Sequence, residues 1–272
     1  MPAATRPRRD TSLKFIHITD PHLVKPGELL YGLDPLERLG LCIDNINRFH
    51  ADAEFAIVTG DLAHAGNPLA YRALRDAFGK LRLKTHFLLG NHDNRHDFLA
   101  EFQEYPRDAG GFVQYTLDTA IGRFICLDTN EPRVSWGVLC DSRLAWLKVE
   151  LERAQGMPVY LFMHHPPFAV GLKRMDEISL QQPEKFAALV SDRGNIRHLF
   201  FGHLHRPISG SWRGIPFTTM RATSHQVALD FVIEGVVPGS HEPPAYAVVL
   251  AGSDLTVVHF HDFLDQTNTF LL

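Results

Sequence analysis

Leu13-Lys14-Phe15-Ile16-His17-Ile18-Thr19-Asp20-Pro21-His22 is an apolar, β-prone run that breaks abruptly into Asp-x-His. The same arrangement returns four times downstream. Phe55 to Thr59 runs into Gly60-Asp61, and Thr85 to Leu89 into Gly90-Asn91-His92-Asp93. Val159 to Met163 runs into His164-His165, and His198 to Phe201 into Gly202-His203-Leu204-His205. Each polar word sits where a strand ends and a loop begins, which in an open α/β sheet is the edge where ligands bind. The five words supply Asp20, His22, Asp61, Asn91, His164, His203 and His205, enough donors for two metal ions side by side, with His92 next to them.

Carboxylate, amide oxygen and neutral imidazole suit borderline divalent ions such as Zn, Mn, Co or Fe. Two such ions about 3.5–4 Å apart clamp the attacking and leaving oxygens of a phosphoryl displacement. One carboxylate has to bridge them, and Asp61 is the candidate. Asp20-x-His22 and His203-x-His205 each put two side chains on one side of an extended segment, because strand side chains alternate. A lone D-x-H or H-x-H is weak; five such words in order, each after a strand, are a strong signal.

With those residues in view, the chain resembles the calcineurin-like metallophosphoesterase superfamily, whose pattern is D-x-H, G-D, G-N-H-[DE], H, G-H-x-H. Met163-His164-His165-Pro166-Pro167 and Ser224-His225-Gln226 resemble the branch of class III cyclic-nucleotide phosphodiesterases and bacterial glycerophosphodiesterases. The resemblance implies an α/β fold, a four-layer αββα sandwich of two mixed sheets. It implies one metal on Asp20, His22, Asp61 and His205 and a second on Asp61, Asn91, His164 and His203. It implies His92 as the catalytic residue that faces the phosphate. Asp61 is the catalytic bridge, with metal-activated hydroxide attacking phosphorus. In relatives a His near the position of His225 reaches the substrate. Purple acid phosphatases carry a metal-binding Tyr three residues after the bridging Asp; His64 stands there in this chain, so a ferric-tyrosinate site is not expected.

The 272 residues fit one large α/β domain with an accessory element. At 45% hydrophobic content the chain can build a sizeable core, and a net charge of −4 gives no general attraction to nucleic acid or anionic membranes. No apolar run approaches the ~18 residues of a membrane span. Three cysteines (Cys42, Cys126, Cys140) show no metal or redox spacing and read as reduced residues of a cytoplasmic protein. The basic start, Met1 to Asp10, reads as a flexible N-terminus ending near residue 12 rather than a signal peptide.

Between the words the rhythm is strand and helix. Asp34-Pro35 and Asn67-Pro68 open helices, the first with Leu36, Leu39, Ile43 and Ile46 buried and the second with Leu69, Leu74 and Phe78. Asp141 is expected to cap a helix to Ala154, and another runs from Pro183 to Asp192. Strands are expected at Phe112–Leu117, Arg123–Leu127, Gly214–Met220, Gln226–Glu234, Ala245–Ala251 and Leu255–Phe263. The metallophosphoesterase domain is read as 13–230. Residues 231–272 then form C-terminal strands that complete the sandwich and offer an edge to another subunit, giving a homo-oligomer.

Residues 168–182 form a long loop of the kind that often binds ligands. Tyr31, in the loop after the first metal word, is a candidate substrate contact beside Asn91, His92 and His225; Lys173 and Arg221 are candidate phosphate cations. His17, on the face opposite Ile16 and Ile18, reads as a satisfied buried residue, and His259 and His261 as an exposed strand face. The function expected is a dinuclear-metal phosphodiesterase for small phosphodiesters, either a cyclic nucleotide or a glycerophosphodiester. Alternatives are a phosphomonoesterase, a nucleotide-anhydride hydrolase or a non-catalytic interaction module on the same fold.

Overall fold

In the computed structural model, which describes residues 12–252, 254–267 and 270–271, the apolar runs become strands in the expected order. The flexible N-terminus expected up to residue 12 lies, apart from Ser12, outside the described residues. Elements follow in the order β1 (Leu13–Ile18), α1 (Pro35–Phe49), β2 (Phe55–Thr59), α2 (Pro68–Phe78), β3 (Lys84–Leu88), α3 (Arg95–Glu101), β4 (Tyr115–Thr119), β5 (Gly122–Cys126), α4 (Asp141–Arg153) and β6 (Val159–Met163). They continue as α5 (Lys173–Glu177), α6 (Pro183–Val190), β7 (Ile196–Phe201), β8 (Ile208–Trp212), β9 (Ile215–Thr219), β10 (Gln226–Val227), β11 (Gly239–Ser240), β12 (Tyr246–Ala251) and β13 (Thr256–His261).

Two large mixed sheets result. One has the order β13-β12-β1-β2-β3, with β1, β2 and β3 parallel and β12 antiparallel to β1. The other has the order β4-β5-β6-β7-β9-β8, parallel from β5 to β9, with β4 and β8 running antiparallel at its edges. Alternation along β1 turns Phe15 and His17 towards the second sheet. The Phe15 ring lies 5.3 Å from Phe124 and 5.7 Å from Phe200, and the His17 ring 5.5 Å from Phe200. Those aromatics form the core between the sheets. A second core lies on the far side of the second sheet, where Leu147, Leu151, Phe186 and Val190 of α4 and α6 cover Leu161 and Leu199. The αββα sandwich expected from the sequence is the fold.

Helix starts follow local chemistry. Asp34 accepts from the amides of Leu36 (2.9 Å) and Glu37 (3.1 Å), and Asn67 accepts from Leu69 (2.9 Å). These bonds satisfy amides that the first turn leaves without partners. Leu69, expected in the buried stripe, is exposed; the stripe is Ala70, Tyr71, Ala73, Leu74, Ala77 and Phe78. Asp141 does not cap α4: Cys140 holds the cap position, and the Asp141 carboxylate pairs outward with Lys185 at 3.0 Å. The helix expected to reach Asp192 stops at Val190.

The strand expected over Gln226–Glu234 is two residues long. After Val227 the chain leaves the ladder, because Asp230 draws the amides of Val232 and Ile233 into a turn (2.7 Å each) and Gly235 takes φ 76°. Gly239 lies in β11, which pairs with β10. The 168–182 loop carries the short helix α5.

Candidate metal centre

Because β1, β2, β3, β6 and β7 are parallel within their sheets, their C-terminal ends meet at one edge of the sandwich, and the five polar words meet there. The two sheets are stitched together at that edge. The Nδ1 of His164 donates to the carbonyl of Thr59 (2.7 Å), and the amide of His203 donates to both Asp20 carboxylate oxygens (3.2 Å each). The approach is close enough that Gly60, at φ 94°, has no room for a side chain: a Cβ there would stand 2.6 Å from His164 Nδ1 and 2.7 Å from the Gly90 amide. Asp20, His22, Asp61, His203 and His205 all hold φ between 47° and 67°, the left-handed region. Strain of order 1–3 kcal/mol per residue, gathered at one spot, is a mark of function.

Donor atoms of Asp20, His22, Asp61 and His205 lie within 4.8 Å of one another, and all four residues are buried. Asp61 Oδ2 lies 3.3 Å from His22 Nε2 and 3.4 Å from His164 Nε2, and Asn91 Oδ1 lies 3.2 Å from that same His164 nitrogen. Asp61 Oδ2 therefore stands between the His22 and His164 nitrogens. His203 is buried with its Nε2 unpartnered. His165 packs on it at 4.7 Å between ring centres, with its own Nδ1 on the Thr129 hydroxyl (2.8 Å).

The hydrogen bonds orient the imidazoles for a cation. His205 Nδ1 donates to the His225 carbonyl (2.8 Å) and His164 Nδ1 to Thr59, so each presents Nε2 inward. The Nε2 atoms of His22 and His205 then face one another at 3.1 Å beside two carboxylates. Lone pairs and negative charge converge on one place, an arrangement that calls for positive charge at its centre. The titration shifts have the same origin. Burial pushes Asp61 up, but His164, His92 and His22 outweigh it and hold the carboxyl well below the usual range. Burial lowers His164, but Asp61 and Asp20 outweigh it and raise the imidazole to about 9. The donor set thus fits a pair of divalent ions.

His92 stands at the rim. Its amide donates to Asp61 Oδ1 (2.8 Å) and its Nδ1 to the carbonyl of His64 (2.7 Å), which leaves Nε2 for the compartment that it lines. Asp93 turns the other way. It accepts from the amides of Leu62, Ala63 and Gly90 and from the Tyr71 hydroxyl. His225 is half-buried, 4.9 Å from the His22 ring and 4.7 Å from Tyr31, and both line the compartment.

Of the two candidate phosphate cations, Lys173 pairs with Glu234 and Arg221 holds Asp262 at 3.0 Å, and neither lines the compartment. His17 is satisfied at one nitrogen only, Nε2 on Thr59 Oγ1 (2.9 Å), with Nδ1 unpartnered. His259 is exposed and His261 half-exposed, and neither joins a metal-type cluster among the described residues. Sequence reasoning gave no role to His64, whose ring stacks on His92 at 4.7 Å and whose Nδ1 meets His22 Nδ1 at 3.1 Å. Its signal was its place three residues after Asp61 in the same loop. Arg174 and Met175, which also line the compartment, carry no such signal.

The family model described as calcineurin-like phosphoesterase matches residues 13–207. The chain belongs to the calcineurin-like phosphoesterase family. This phosphoesterase is 47% identical over 263 residues to a probable cyclic nucleotide phosphodiesterase of Rhodopseudomonas palustris, covering 96% of each chain. It is 30% identical over 215 residues to a glycerophosphodiester phosphodiesterase of Enterobacter lignolyticus, covering 78% of this chain and 77% of that one. Among solved structures, a dimetal phosphatase from Danio rerio shares the fold, with a TM-score of 0.66 at 15% identity over 90% of this phosphoesterase and 98% of that chain. No helix among the described residues of the phosphoesterase is long and apolar enough to cross a membrane.

Proposed function

We propose that the chain is a dinuclear-metal phosphodiesterase acting on small phosphodiesters, a cyclic nucleotide or a glycerophosphodiester. The observation that carries this is Asp61 Oδ2, which stands between His22 Nε2 at 3.3 Å and His164 Nε2 at 3.4 Å. Asp20, His22, Asp61 and His205 would hold one ion, and Asp61, Asn91, His164 and His203 the other. Fe, Mn, Zn and Co suit these donors. When bound, the pair neutralises charge growing on the phosphoryl oxygens and acidifies water to near neutral pKa.

The chain's own groups do the rest. His92, with Nδ1 fixed on the His64 carbonyl, aims Nε2 at the phosphoryl group, donates to its oxygen and gives its proton to the leaving alkoxide. Asn91 presents its amide oxygen inward, while Tyr31 and His225 wall the side on which the substrate's other arm lies. The names of the two relatives support a diester over a monoester or anhydride. The complete donor set supports an enzyme over an interaction module.

A cytoplasmic location fits three unpaired cysteines. A homo-oligomer, dimer or higher, fits the exposed Leu229, Phe231, Val232 and Val236.

The test is hydrolysis by metal-stripped protein of an aryl phosphodiester, a cyclic nucleotide, a glycerophosphodiester and a phosphomonoester, with and without Mn, Zn and Co. Diester cleavage restored by metal is expected, and folded protein inert with every metal would overturn the reading. In the same assay His92→Ala lowers turnover at near-normal metal content, whereas Asn91→Ala loses metal and turnover together.

A further inference from the structure

The reaction compartment, about 270 Å³, adjoins a second cavity of about 480 Å³, and the two share Tyr31, His225, Val227 and Val237 in their walls. Pockets that enclose whole small molecules measure roughly 300–1,000 Å³. The reaction compartment falls short of that range and the second cavity lies within it. The second cavity thus adds room beside the reaction compartment, on the side of Tyr31 and His225, for the remainder of a larger substrate.

The two walls differ in chemistry. Six imidazoles of the metal-centre side, the Asp61 carboxylate, the Asn91 amide and Arg174 make the reaction compartment polar. Val227, Val237 and the Tyr31 ring give the second cavity apolar sides, and Ser240 and His241 edge it. None of the described residues that line it is Lys or Arg, so it is not built for a second phosphate. The Gln226 amide, also in the wall, is tied to the backbone of Ala222 and Ser224 and has little left to offer a ligand.

The Tyr31 ring is held in place by its backbone. Its φ is 52°, uncommon for a bulky residue and strained. The Leu30–Leu33 bridge fixes the turn on one side, and on the other His241 Nε2 donates to the Tyr31 carbonyl at 3.0 Å. The ring meets His225 edge-on (4.7 Å, 68°) and is 61% exposed, so an aromatic face remains open between the compartments.

We propose that the second cavity is the subsite for the base of a nucleotide diester, which stacks on Tyr31, packs on Val227 and Val237, and meets Ser240 and His241 with its polar edge. The inference rests on the phosphodiesterase reading and narrows it from small diesters to cyclic nucleotides. A glycerol arm is small and hydroxylated and would leave those apolar walls wet. A base is flat and apolar on both faces, and stacking on an aromatic side chain is a sizeable, sequence-tolerant contribution.

The test compares kcat/KM for 3′,5′-cyclic AMP with kcat/KM for methyl p-nitrophenyl phosphate, which has no base, and with that for glycerophosphoethanolamine. Two variants are used. Gly239→Phe fills space at the cavity: a Cβ there meets nothing within 4 Å, and its backbone is not in the left-handed region. Tyr31→Asn removes the ring with a residue that accepts positive φ. In each variant the ratio of cyclic AMP to methyl p-nitrophenyl phosphate is expected to fall about ten-fold or more, mainly through KM.

Inhibition gives a readout independent of turnover. The wild type should be inhibited by adenosine 5′-monophosphate at concentrations about ten-fold or more below those of inorganic phosphate, and Gly239→Phe should erase that difference. Unchanged ratios in both variants at wild-type melting temperature, or a wild type that prefers glycerophosphoethanolamine, would overturn the subsite alone. A wild type inert towards all three diesters with every metal overturns the phosphodiesterase reading beneath it.

Discussion

The Nδ1 atoms of His22 and His64 face each other at 3.1 Å. Only one of them can carry the shared proton. With His22 Nε2 pointing at Asp61 and His205, the arrangement that frees it as a donor to a metal puts the proton on His22 Nδ1 and makes His64 the acceptor. In that arrangement His64 fixes the tautomer of a candidate ligand. Loss of such a supporting partner costs about 10–100-fold in metal affinity. His64→Ala is expected to weaken metal binding by at least the lower figure in competition against a chelator. His64→Asn, whose side-chain oxygen can also accept, should lie between. Affinity equal to wild type in His64→Ala would refute the role.

Asp93 ties two of the metal-site loops together. Its carboxylate takes the amides of Leu62 (3.0 Å), Ala63 (3.0 Å) and Gly90 (2.9 Å) and the hydroxyl of Tyr71 (3.0 Å), all in a buried setting. Each buried donor left without an acceptor costs about 1–3 kcal/mol. Asp93→Ala should lower the free energy of urea unfolding by about 3–5 kcal/mol, and Asp93→Asn by less, because its amide oxygen still accepts. A drop below about 1 kcal/mol, the median for point substitutions, would mean that the loops hold their shape without it.

The reach of the sequence follows from the same contacts. The words Asp20-Pro21-His22 to His205 were legible because metal chemistry restricts residue type, and strand alternation restricts spacing. That Asp61 would gather with His22 and His164 was legible in this way, and its oxygen stands between them. The strand expected over Gln226–Glu234 was read too long because its residues are apolar and β-prone, yet one carboxylate, Asp230, and Gly235 turn the chain out of the ladder after Val227. The partners of Lys173 and Arg221 were illegible, because a positive charge alone does not reveal that Glu234 and Asp262 pair with it. The second cavity was illegible, since it joins Tyr31 to His241 across 210 positions of chain.

Acid should loosen the sandwich at two histidines far from the metal centre. Burial lowers both His86 and His198 from 6.5 to about 4. His198 is held neutral between Thr218 Oγ1 (2.8 Å) and the Phe200 ring (4.3 Å), and His86 lies against Phe55 (5.6 Å). In the unfolded chain each binds a proton below about pH 6.5; in the fold each does so only below about pH 4. Their contribution is therefore complete above pH 6.5 and is lost as the pH falls towards 4, at most on the order of 3 kcal/mol each. Urea midpoints should drop between pH 6.5 and 4.5, and the double variant His86→Gln/His198→Gln should show a shallower drop. Parallel pH profiles would show that these rings are not the source.

Cys140 should be the reactive thiol of the three. Burial pushes it up, but the Ser142 hydroxyl (3.1 Å) and the Arg143 guanidinium (3.3 Å) outweigh that and bring it down to about 7. Burial drives Cys126 up to about 12 and Cys42 higher still. Since the thiolate is the nucleophile, at pH 7 a large share of Cys140 is ready to react, while the other two are protonated and shielded. Iodoacetamide at pH 7, followed by peptide mass spectrometry, should label Cys140 at least about ten-fold faster than Cys42 or Cys126 in folded protein. Ser142→Ala should slow that labelling at pH 7 and move its midpoint to higher pH. A midpoint unmoved by Ser142→Ala would assign the lowered pKa to Arg143 alone, and equal labelling of all three cysteines would refute the microenvironment altogether.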